Sequence, residues 1–112
     1  MLAENQQLPK AEIIRKHGDF LRIMDGGKQW RGSVIHVFYQ PWTVRQVGFS
    51  APKRFGQAVW RNRAKRWMRE VYRRHRDVIG SFRMIIMARP AISKDGYRSV
   101  EAEFTQFLPR VR

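Results

Sequence analysis

The sequence predicts a single small α+β domain, a sandwich in which helices pack on a mixed β-sheet. Its 112 residues match the usual length of one domain. Apolar residues at helical spacing alternate with short runs of β-branched and aromatic residues, in the order helix, two strands, long helix, strand, helix. The long helix combines an apolar stripe with a basic arc, so it should lie on a sheet and expose that arc. We therefore treat residues 1–112 as one domain.

The first half of the chain contains the first predicted helix and two strands. Apolar residues at helical spacing favour a short helix over Asp19–Met24, which Gly26 and Gly27 end. The runs Ser33–Tyr39 and Val44–Ser50 predict two strands. The Gln-Pro-Trp turn between them predicts that they pair as a hairpin.

The long helix is predicted from about Gln57 to Arg76. Its apolar stripe consists of Trp60, Ala64, Trp67, Met68, Val71 and Tyr72. The opposite arc consists of Arg61, Asn62, Lys65, Arg66, Arg69 and Arg73. Cations one turn apart on such an arc are separated by about 6 Å, which is close to the spacing of successive phosphates in a nucleic-acid strand.

The second half begins at Gly80, which ends the long helix. The continuous apolar run Met84–Ala88 predicts a central strand that is buried on both faces. A last helix is predicted over about Tyr97–Leu108, and Pro109 ends it.

The charge of the chain is the strongest indication of its partner. Twenty-three Lys and Arg against nine Asp and Glu give a net charge of +14. Between Lys53 and Arg76 there are ten basic residues and one acid, Glu70, so these 24 positions hold +9 of that charge. A solvated surface is the alternative explanation for such a run. Because so little of the charge is neutralised locally, the pattern favours a phosphate-binding surface.

Catalytic and metal-binding patterns are missing from the sequence. There is no cysteine, which excludes thiolate chemistry and fits a reducing cytoplasm. The acids are scattered, and the three histidines lack metal-ligand spacing. No signal peptide or membrane-length apolar run is visible. We expect a cytoplasmic RNA-binding protein with no catalytic residue, no metal site, no membrane contact and no small-molecule substrate.

The segment from Val47 to Tyr72 resembles the signature of the bacterial ribonuclease P protein family. That signature has a strand, a basic pair, a glycine, and then Ala-Val-x-Arg-Asn-Arg-x-Lys-Arg and Arg-Glu. The matching positions here are Lys53-Arg54, Gly56, Ala58-Val59, Arg61-Asn62-Arg63, Lys65-Arg66 and Arg69-Glu70. The first helix, the last strand and the closing helix also fit, so the resemblance covers almost the whole chain.

The resemblance implies a fold, two RNA partners and a set of site residues. It implies a left-handed strand–helix–strand crossover, against the usual hand. It also implies binding to a catalytic RNA and to the single-stranded 5′ leader of precursor tRNA, whose Mg²⁺-dependent hydrolysis is done by the RNA. The protein alone should be inactive. The residues implied to face the catalytic RNA are Lys53, Arg54, Arg61, Asn62, Arg63 and Arg66. Those implied to line the leader cleft are Lys65, Arg69, Phe20 and Met24, with Val37 or Phe38.

Two departures from the family pattern affect the leader cleft. The first helix usually carries two aromatic residues four apart, and here Met24 follows Phe20. The aromatic residue usual on the first long strand falls near Val37, and Phe38 should point to the other face. Three other functions remain open: a general nucleic-acid-compacting protein, a membrane-surface module and a free-standing nuclease. Selective binding to the catalytic RNA would separate them.

Overall fold

The computed structural model describes residues 8–53 and 56–112, with the backbone alone at 93–95. The helices of this part are α1 (His17–Gly26), α2 (Ala58–His75) and α3 (Ile92–Phe107). Its strands are β1 (Lys28–Arg31), β2 (Ile35–Pro41), β3 (Gln46–Ser50) and β4 (Phe82–Ala88). Short 3-10 turns lie at Lys10–Glu12, Arg76–Val78 and Leu108–Arg110. The predicted α+β class and the order of its helices are confirmed.

The four strands form one mixed sheet in the order β1-β2-β4-β3. β2 is antiparallel to both β1 and β4, and β3 is parallel to β4. The predicted hairpin between the strands now numbered β2 and β3 is therefore wrong, because β4 lies between them. The apolar side chains of β4 can be covered on both faces only in an inner position, which is where the sheet places them. The hairpin partner of β2 is instead β1, which the sequence pattern did not predict.

Helix α2 connects the adjacent parallel strands β3 and β4, so β3, α2 and β4 form the expected strand–helix–strand crossover. Its left-handed sense stays a prediction of the family resemblance. On the outer side of β3 the N-terminal segment runs alongside, and Ile13 makes a parallel bridge to Val47. The sheet edge beside β3 is thereby partly covered.

The main core lies between one face of the sheet and helices α2 and α3. Strands β2, β3 and β4 contribute alternating buried residues to it, among them Val37, which is fully buried. The helices contribute Ala64, Met68, Val71, Tyr72, Val100, Phe104 and Phe107. Several of the rings meet at an angle, as between Tyr72 and Phe104, whose centroids are 6.3 Å apart, which is a favourable aromatic geometry.

Helix α1 packs on the opposite face of the sheet and forms a smaller core. Ile23 of α1 is fully buried there against Phe38 and Ile85. Phe20 lies so close to β3 that a Cβ at Gly48 would be 2.8 Å from its Cζ atom. A glycine at this position therefore allows the close approach of α1 to the sheet.

The apolar stripe of α2 is shifted from its predicted centre. Met68 is fully buried, whereas Trp67 is half-buried and Trp60 is 39% exposed. Trp60 lies in the first turn of α2, where its ring contacts the guanidinium of Arg63. Including Trp60 in the buried stripe was thus wrong.

Candidate nucleic-acid interface

The exposed side of α2 carries the residues that the resemblance assigns to the catalytic RNA. Asn62, Arg63 and Arg66 are exposed, and Arg61 is half-exposed on the same helix. Lys53 is exposed in the loop that leads into α2. Arg54 lies outside the described residues. The described members of this set are therefore accessible on α2 or in the loop before it. The helical repeat places Asn62 and Arg66 on the exposed arc of α2, with Arg61 and Arg63 at its two edges.

A shallow groove follows the flank of α2 that faces β3. One depression of about 300 Å³ is lined by Asn62, Lys65, Arg66 and Arg69. A second, of about 290 Å³, continues from it between α2 and the N-terminal segment, and Arg66 and Arg69 line both. The two depressions are thus joined by shared cations of α2. Their other polar lining residues on α2 are Asn62, Lys65, Glu70 and Arg73.

Two of the α2 cations that the resemblance assigns to RNA lie over aromatic rings. The guanidinium carbon of Arg63 lies 5.2 Å from the Trp60 ring centroid, and that of Arg69 lies 5.5 Å from the Phe49 centroid. Such contacts restrict the side chain while leaving its N–H donors available. Arg69 is thereby directed toward β3, at the groove.

The acids nearest to this surface are already engaged within the protein. Glu70 accepts hydrogen bonds from Arg73, which holds its pKa below the ordinary value, and from Arg74 at 3.3 Å. Within the described part of the chain, no carboxylate lies at ion-pair distance from Arg61, Arg63 or Arg66. The cationic groups at the start of α2 thus remain available to an anionic partner.

Glu12 is a buried acid that fixes the N-terminal segment against α2. Its carboxylate accepts hydrogen bonds from the Tyr72 hydroxyl at 2.6 Å, from Arg45 Nε at 3.1 Å and from Arg76. Burial alone would raise the pKa of Glu12, but the hydrogen bonds from Arg76 and Tyr72 outweigh it and lower the pKa. The role of Glu12 was not predicted from the sequence, although an acid directly before Ile13 and Ile14 could have indicated a buried ion pair.

On the other face of the sheet, α1 borders an apolar surface that we call the α1 platform. It consists of Phe20, Met24, His36, Phe38 and Met87. The predicted residues Phe20 and Met24 are half-buried, so part of each side chain is accessible. Of the two strand candidates, Phe38 lies on this face, whereas Val37 is fully buried in the main core and offers no surface to a ligand.

His36 belongs to the α1 platform, which the sequence analysis did not predict. Its ring stacks on Phe38 with centroids 4.2 Å apart and planes at 29°. Its Nε2 lies 3.0 Å from Oε1 of Gln29. Burial, with smaller contributions from Arg31 and Arg89, lowers the pKa of His36, so its ring is neutral at pH 7. The i, i+2 spacing of His36 and Phe38 on a strand was the available signal.

The two groups of predicted leader-binding residues lie on opposite faces of the sheet. Phe20, Met24 and Phe38 are on the α1 side, whereas Lys65 and Arg69 are on α2, which packs on the other side. The β3 edge of the sheet, with the N-terminal segment alongside it, separates the groove from the α1 platform. A strand that contacts both groups has to pass around that edge.

Neither a metal site nor a membrane-spanning helix is found among the described residues. In residues 8–53 and 56–112, leaving aside the side chains of 93–95, no three His, Cys, Asp or Glu side chains converge as metal ligands. Among the helices described, none is long and apolar enough to cross a membrane.

A family model and curated proteins of similar sequence both point to ribonuclease P. A family model described as Ribonuclease P matches residues 8–112. The ribonuclease P protein component of Desulforapulum autotrophicum is 34% identical over 106 residues, covering 92% of this chain and 91% of that protein. That of Dictyoglomus thermophilum is 39% identical over 85 residues, covering 73% and 71%.

Solved structures of similar proteins share the fold. The RNase P protein from Thermotoga maritima superposes with a TM-score of 0.79 at 27% identity, covering 90% of this chain and 98% of that one. A Staphylococcus aureus RNase P protein mutant with defective mRNA degradation activity gives a TM-score of 0.84 at 26% identity, covering 100% and 99%.

Proposed function

The chain belongs to the bacterial ribonuclease P protein family, and we propose that it binds the catalytic RNA of ribonuclease P and the 5′ leader of precursor tRNA. As a ribonuclease P protein component it takes part in the 5′ processing of tRNA. In the finer proposal, the exposed side of α2 holds the catalytic RNA and the protein alone cleaves nothing. The complex acts in the cytoplasm as a ribonucleoprotein endonuclease.

The observation that carries this proposal is the exposed side of α2. Arg61, Arg63 and Arg66 are spaced along it without a carboxylate partner in the described chain. A planar guanidinium can donate two parallel hydrogen bonds to one phosphate, so such a row suits the backbone of a folded RNA. Asn62 adds an amide that can donate to a phosphate or a base edge. The net charge of +14 would speed the encounter with any polyanion.

The hydrolytic step is assigned to the RNA and to Mg²⁺ that the RNA holds. Mg²⁺ is usually bound in proteins through carboxylates. The described residues contain no convergent group of such ligands. Glu12, Glu70 and Glu103 each accept hydrogen bonds from other protein groups, Glu103 from the backbone N–H groups of residues 33–35. The donor set of the described residues therefore does not fit a catalytic Mg²⁺ site.

For the leader, we assign the bases to the α1 platform and the phosphates to Lys65 and Arg69. Single-stranded RNA binds where aromatic rings accept stacked bases beside cations, and each stacked base contributes about 1–3 kcal/mol. Phe20 and His36, whose ring stacks on the buried Phe38, supply the accessible rings. Lys65 and Arg69 border the groove on the other side of β3. In this arrangement the leader passes around the β3 edge.

The experiment that tests the assembly role removes Arg61 and Arg63 by substitution with Ala. Each charge-assisted hydrogen bond removed in this way should weaken binding to the catalytic RNA by about 1–3 kcal/mol. The slope of log K against log salt concentration should fall by about 0.7–0.9 for each phosphate that is no longer neutralised. Lys28→Ala with Arg98→Ala is the matched control, since it removes two exposed cations outside α2. Unchanged affinity and slope in a correctly folded Arg61/Arg63 variant would refute the assignment.

The same binding assay separates the alternative functions. A general nucleic-acid-compacting protein would bind bulk RNA as tightly as the catalytic RNA. A membrane-surface module would be displaced from RNA by vesicles of acidic lipid. We expect competition by neither at concentrations where the catalytic RNA is saturated.

A further inference from the structure

Trp42 and Arg83 form a stacked pair at one end of the sheet. The pair belongs neither to the main core nor to the α1 platform. The guanidinium carbon of Arg83 lies 3.5 Å from the centroid of the Trp42 ring. The Trp42 backbone N–H donates to the Ser81 carbonyl at 2.9 Å, which fixes Trp42 directly after β2. Trp42 belongs to neither hydrophobic cluster, and 42% of it is exposed. Arg83 therefore covers one face of its ring, and a large part of the side chain stays accessible to solvent.

Arg83 is a buried cation, and no carboxylate among the described residues lies at ion-pair distance from it. It is only 6% exposed, and its Nε donates to Gln40 Oε1 at 2.7 Å. Its two terminal nitrogens have no acceptor among the described residues, yet they keep contact with solvent. An unpaired buried charge is unfavourable, so a site of this kind gains from binding an anion. Terminal guanidinium nitrogens are well suited to phosphate oxygens.

The charges around Arg83 compensate its positive charge only in part. Burial lowers the pKa of Arg83, the nearby carboxylate of Asp19 acts against this, and Arg22 adds to the lowering. Asp19 is itself paired with Arg22 at 3.1 Å. One acid thus faces two cations, and the local net charge is +1.

This pair lies on the opposite flank of α1 from the α1 platform. Asp19 and Arg22, which face Arg83, are three residues apart and share one side of α1. Phe20 and Met24 are four residues apart and share the side that packs with Phe38 and Ile85. The helix α1 therefore separates the two surfaces.

We propose that Trp42 and Arg83 form a second single-stranded RNA site, which takes one nucleotide with its base on the Trp42 ring and its phosphate at the terminal nitrogens of Arg83. An aromatic ring beside a phosphate-binding cation is the arrangement that sequence-tolerant single-strand binding requires. The site rests on the proposed RNA binding of this chain. Its nucleotide comes either from the catalytic RNA or from the precursor tRNA leader, and both supply the same chemistry.

The direct test is a titration of the full-length protein with a short single-stranded oligoadenylate, monitored by NMR of the tryptophan indole N–H signals. Trp42→Ala identifies the Trp42 signal, which should shift on titration. The same variant should weaken the binding on the order of 10-fold, because it removes the stacking of one base, whereas Trp42→Phe should retain most of it. Val44→Ala, in the same loop and also exposed, should bind like the parent. A Trp42 signal that does not move, or a Trp42→Ala variant that binds normally, would overturn the proposal.

The phosphate contact has its own variant. Arg83→Gln should reduce the slope of log K against log salt by about 0.7, the value for one phosphate contact on a single strand. Because Arg83 is buried, this variant is interpreted only if its melting transition matches that of the parent. If it does not fold, the Trp42 variants alone decide the proposal.

The holoenzyme then distinguishes the two sources of the nucleotide. Weaker assembly of the Trp42→Ala protein with the catalytic RNA assigns the site to that RNA. Weaker binding of precursor tRNA with a long leader, and normal binding of mature tRNA, assigns it to the leader. If neither changes, the site has no role in the complex and the proposal fails. The proposed function is tested by a different variant. If the Arg61/Arg63 double variant assembled normally with the catalytic RNA, that function would fail, whatever the Trp42 variants show.

Discussion

Replacing Glu12 by Gln is expected to destabilise the protein by about 2–4 kcal/mol at pH 7. The carboxylate is 7% exposed and accepts hydrogen bonds from Tyr72, Arg45 and Arg76. These partners belong to the loop that precedes β3 and to the C-terminal end of α2, so Glu12 joins the N-terminal segment to both. Gln retains one acceptor oxygen and nearly the same shape. It lacks the negative charge that the two guanidinium groups share.

The expected loss of stability follows from how deeply the Glu12 carboxylate and the guanidinium groups of Arg45 and Arg76 are buried. Removing one partner of a fully buried ion pair costs about 3–5 kcal/mol, because the other charge is left uncompensated. The side chains of Arg45 and Arg76 are 26% and 19% exposed, so water compensates part of their charge and the expected cost is lower. Arg45 also donates to the carbonyl oxygens of Arg76 and Ile79, hydrogen bonds that Glu12→Gln leaves intact. For a domain whose total stability is about 5–15 kcal/mol, the expected loss is large.

The effect depends on pH with a definite sign. The pKa of Glu12 in the folded protein lies below its ordinary value of 4.5. The stabilisation from the carboxylate is therefore fully present above about pH 4.5 and is lost as the pH falls through the folded-state pKa. Below that pKa the parent protein carries a neutral acid at position 12, as the Gln variant carries a neutral amide. The difference in stability between the two proteins should shrink accordingly.

The measurement is urea unfolding of both proteins from pH 7 down to pH 3. Asp77→Asn is the matched control, because Asp77 also faces Arg76 but is 93% exposed, with a separation of 3.9 Å. This control should lose less than about 1 kcal/mol. A Glu12→Gln variant as stable as the parent at pH 7 would refute the reasoning. So would a stability difference that stays constant down to pH 3.

Four further variants test the site and the packing. Lys65→Ala with Arg69→Ala should weaken holoenzyme binding of precursor tRNA by about 10-fold and leave mature tRNA and the catalytic RNA unaffected; equal losses for both tRNAs would remove the leader assignment. Gly48→Ala places a Cβ 2.8 Å from two side-chain carbons and should cost about 1–3 kcal/mol in urea unfolding. In the same assay Met68→Ala should cost about 2–5 kcal/mol. Trp60→Ala, at an exposed position, should cost less than about 1 kcal/mol. Comparable losses for the two variants would contradict the assignment of Met68 to the buried face of α2 and of Trp60 to its exposed first turn.

The long basic helix could be predicted from the sequence because its pattern is local. Helical spacing alone separates Ala64 and Val71 from Asn62 and Arg66, and the structure buries the first two and exposes the others. The error at Trp60 has a tertiary cause. Whether the first turn of a helix lies over a sheet or extends beyond it depends on the length of the strands beneath, which the periodicity of the helix does not contain.

The order of the strands could not be predicted from neighbouring segments. The turn after β2 favours a hairpin, and short connections usually join adjacent strands. The deciding interaction is non-local: β4, which lies beyond β3 and α2 in the chain, pairs with β2 along the whole strand from Ile35 to Pro41. Both faces of β4 are covered by helices, by α2 and α3 on one side and by α1 on the other. The sequence did predict that β4 is central, but not which strands would flank it.

The alternation of side chains between the two faces of β2 decides which of them form the candidate leader surface. Residues two apart on a strand share a face, so Phe38 lies with His36 and Val37 lies with the main core. The alternation could be predicted from the sequence, but not the side on which α1 would pack. That side is marked by the close approach of Phe20 to Gly48, a contact between distant segments.

The acids of this chain explain why its surface remains cationic after folding. Glu12 serves an interior hydrogen-bond network, Glu70 pairs with its own helical neighbours, and Glu103 accepts the backbone N–H groups that begin at Ser33. Each of these carboxylates is used where folding leaves donors unsatisfied, and none compensates the start of α2. Folding therefore concentrates the positive charge on one side of α2. If RNA binds that side of α2 as proposed, it binds the folded state alone, and RNA binding would then stabilise the fold.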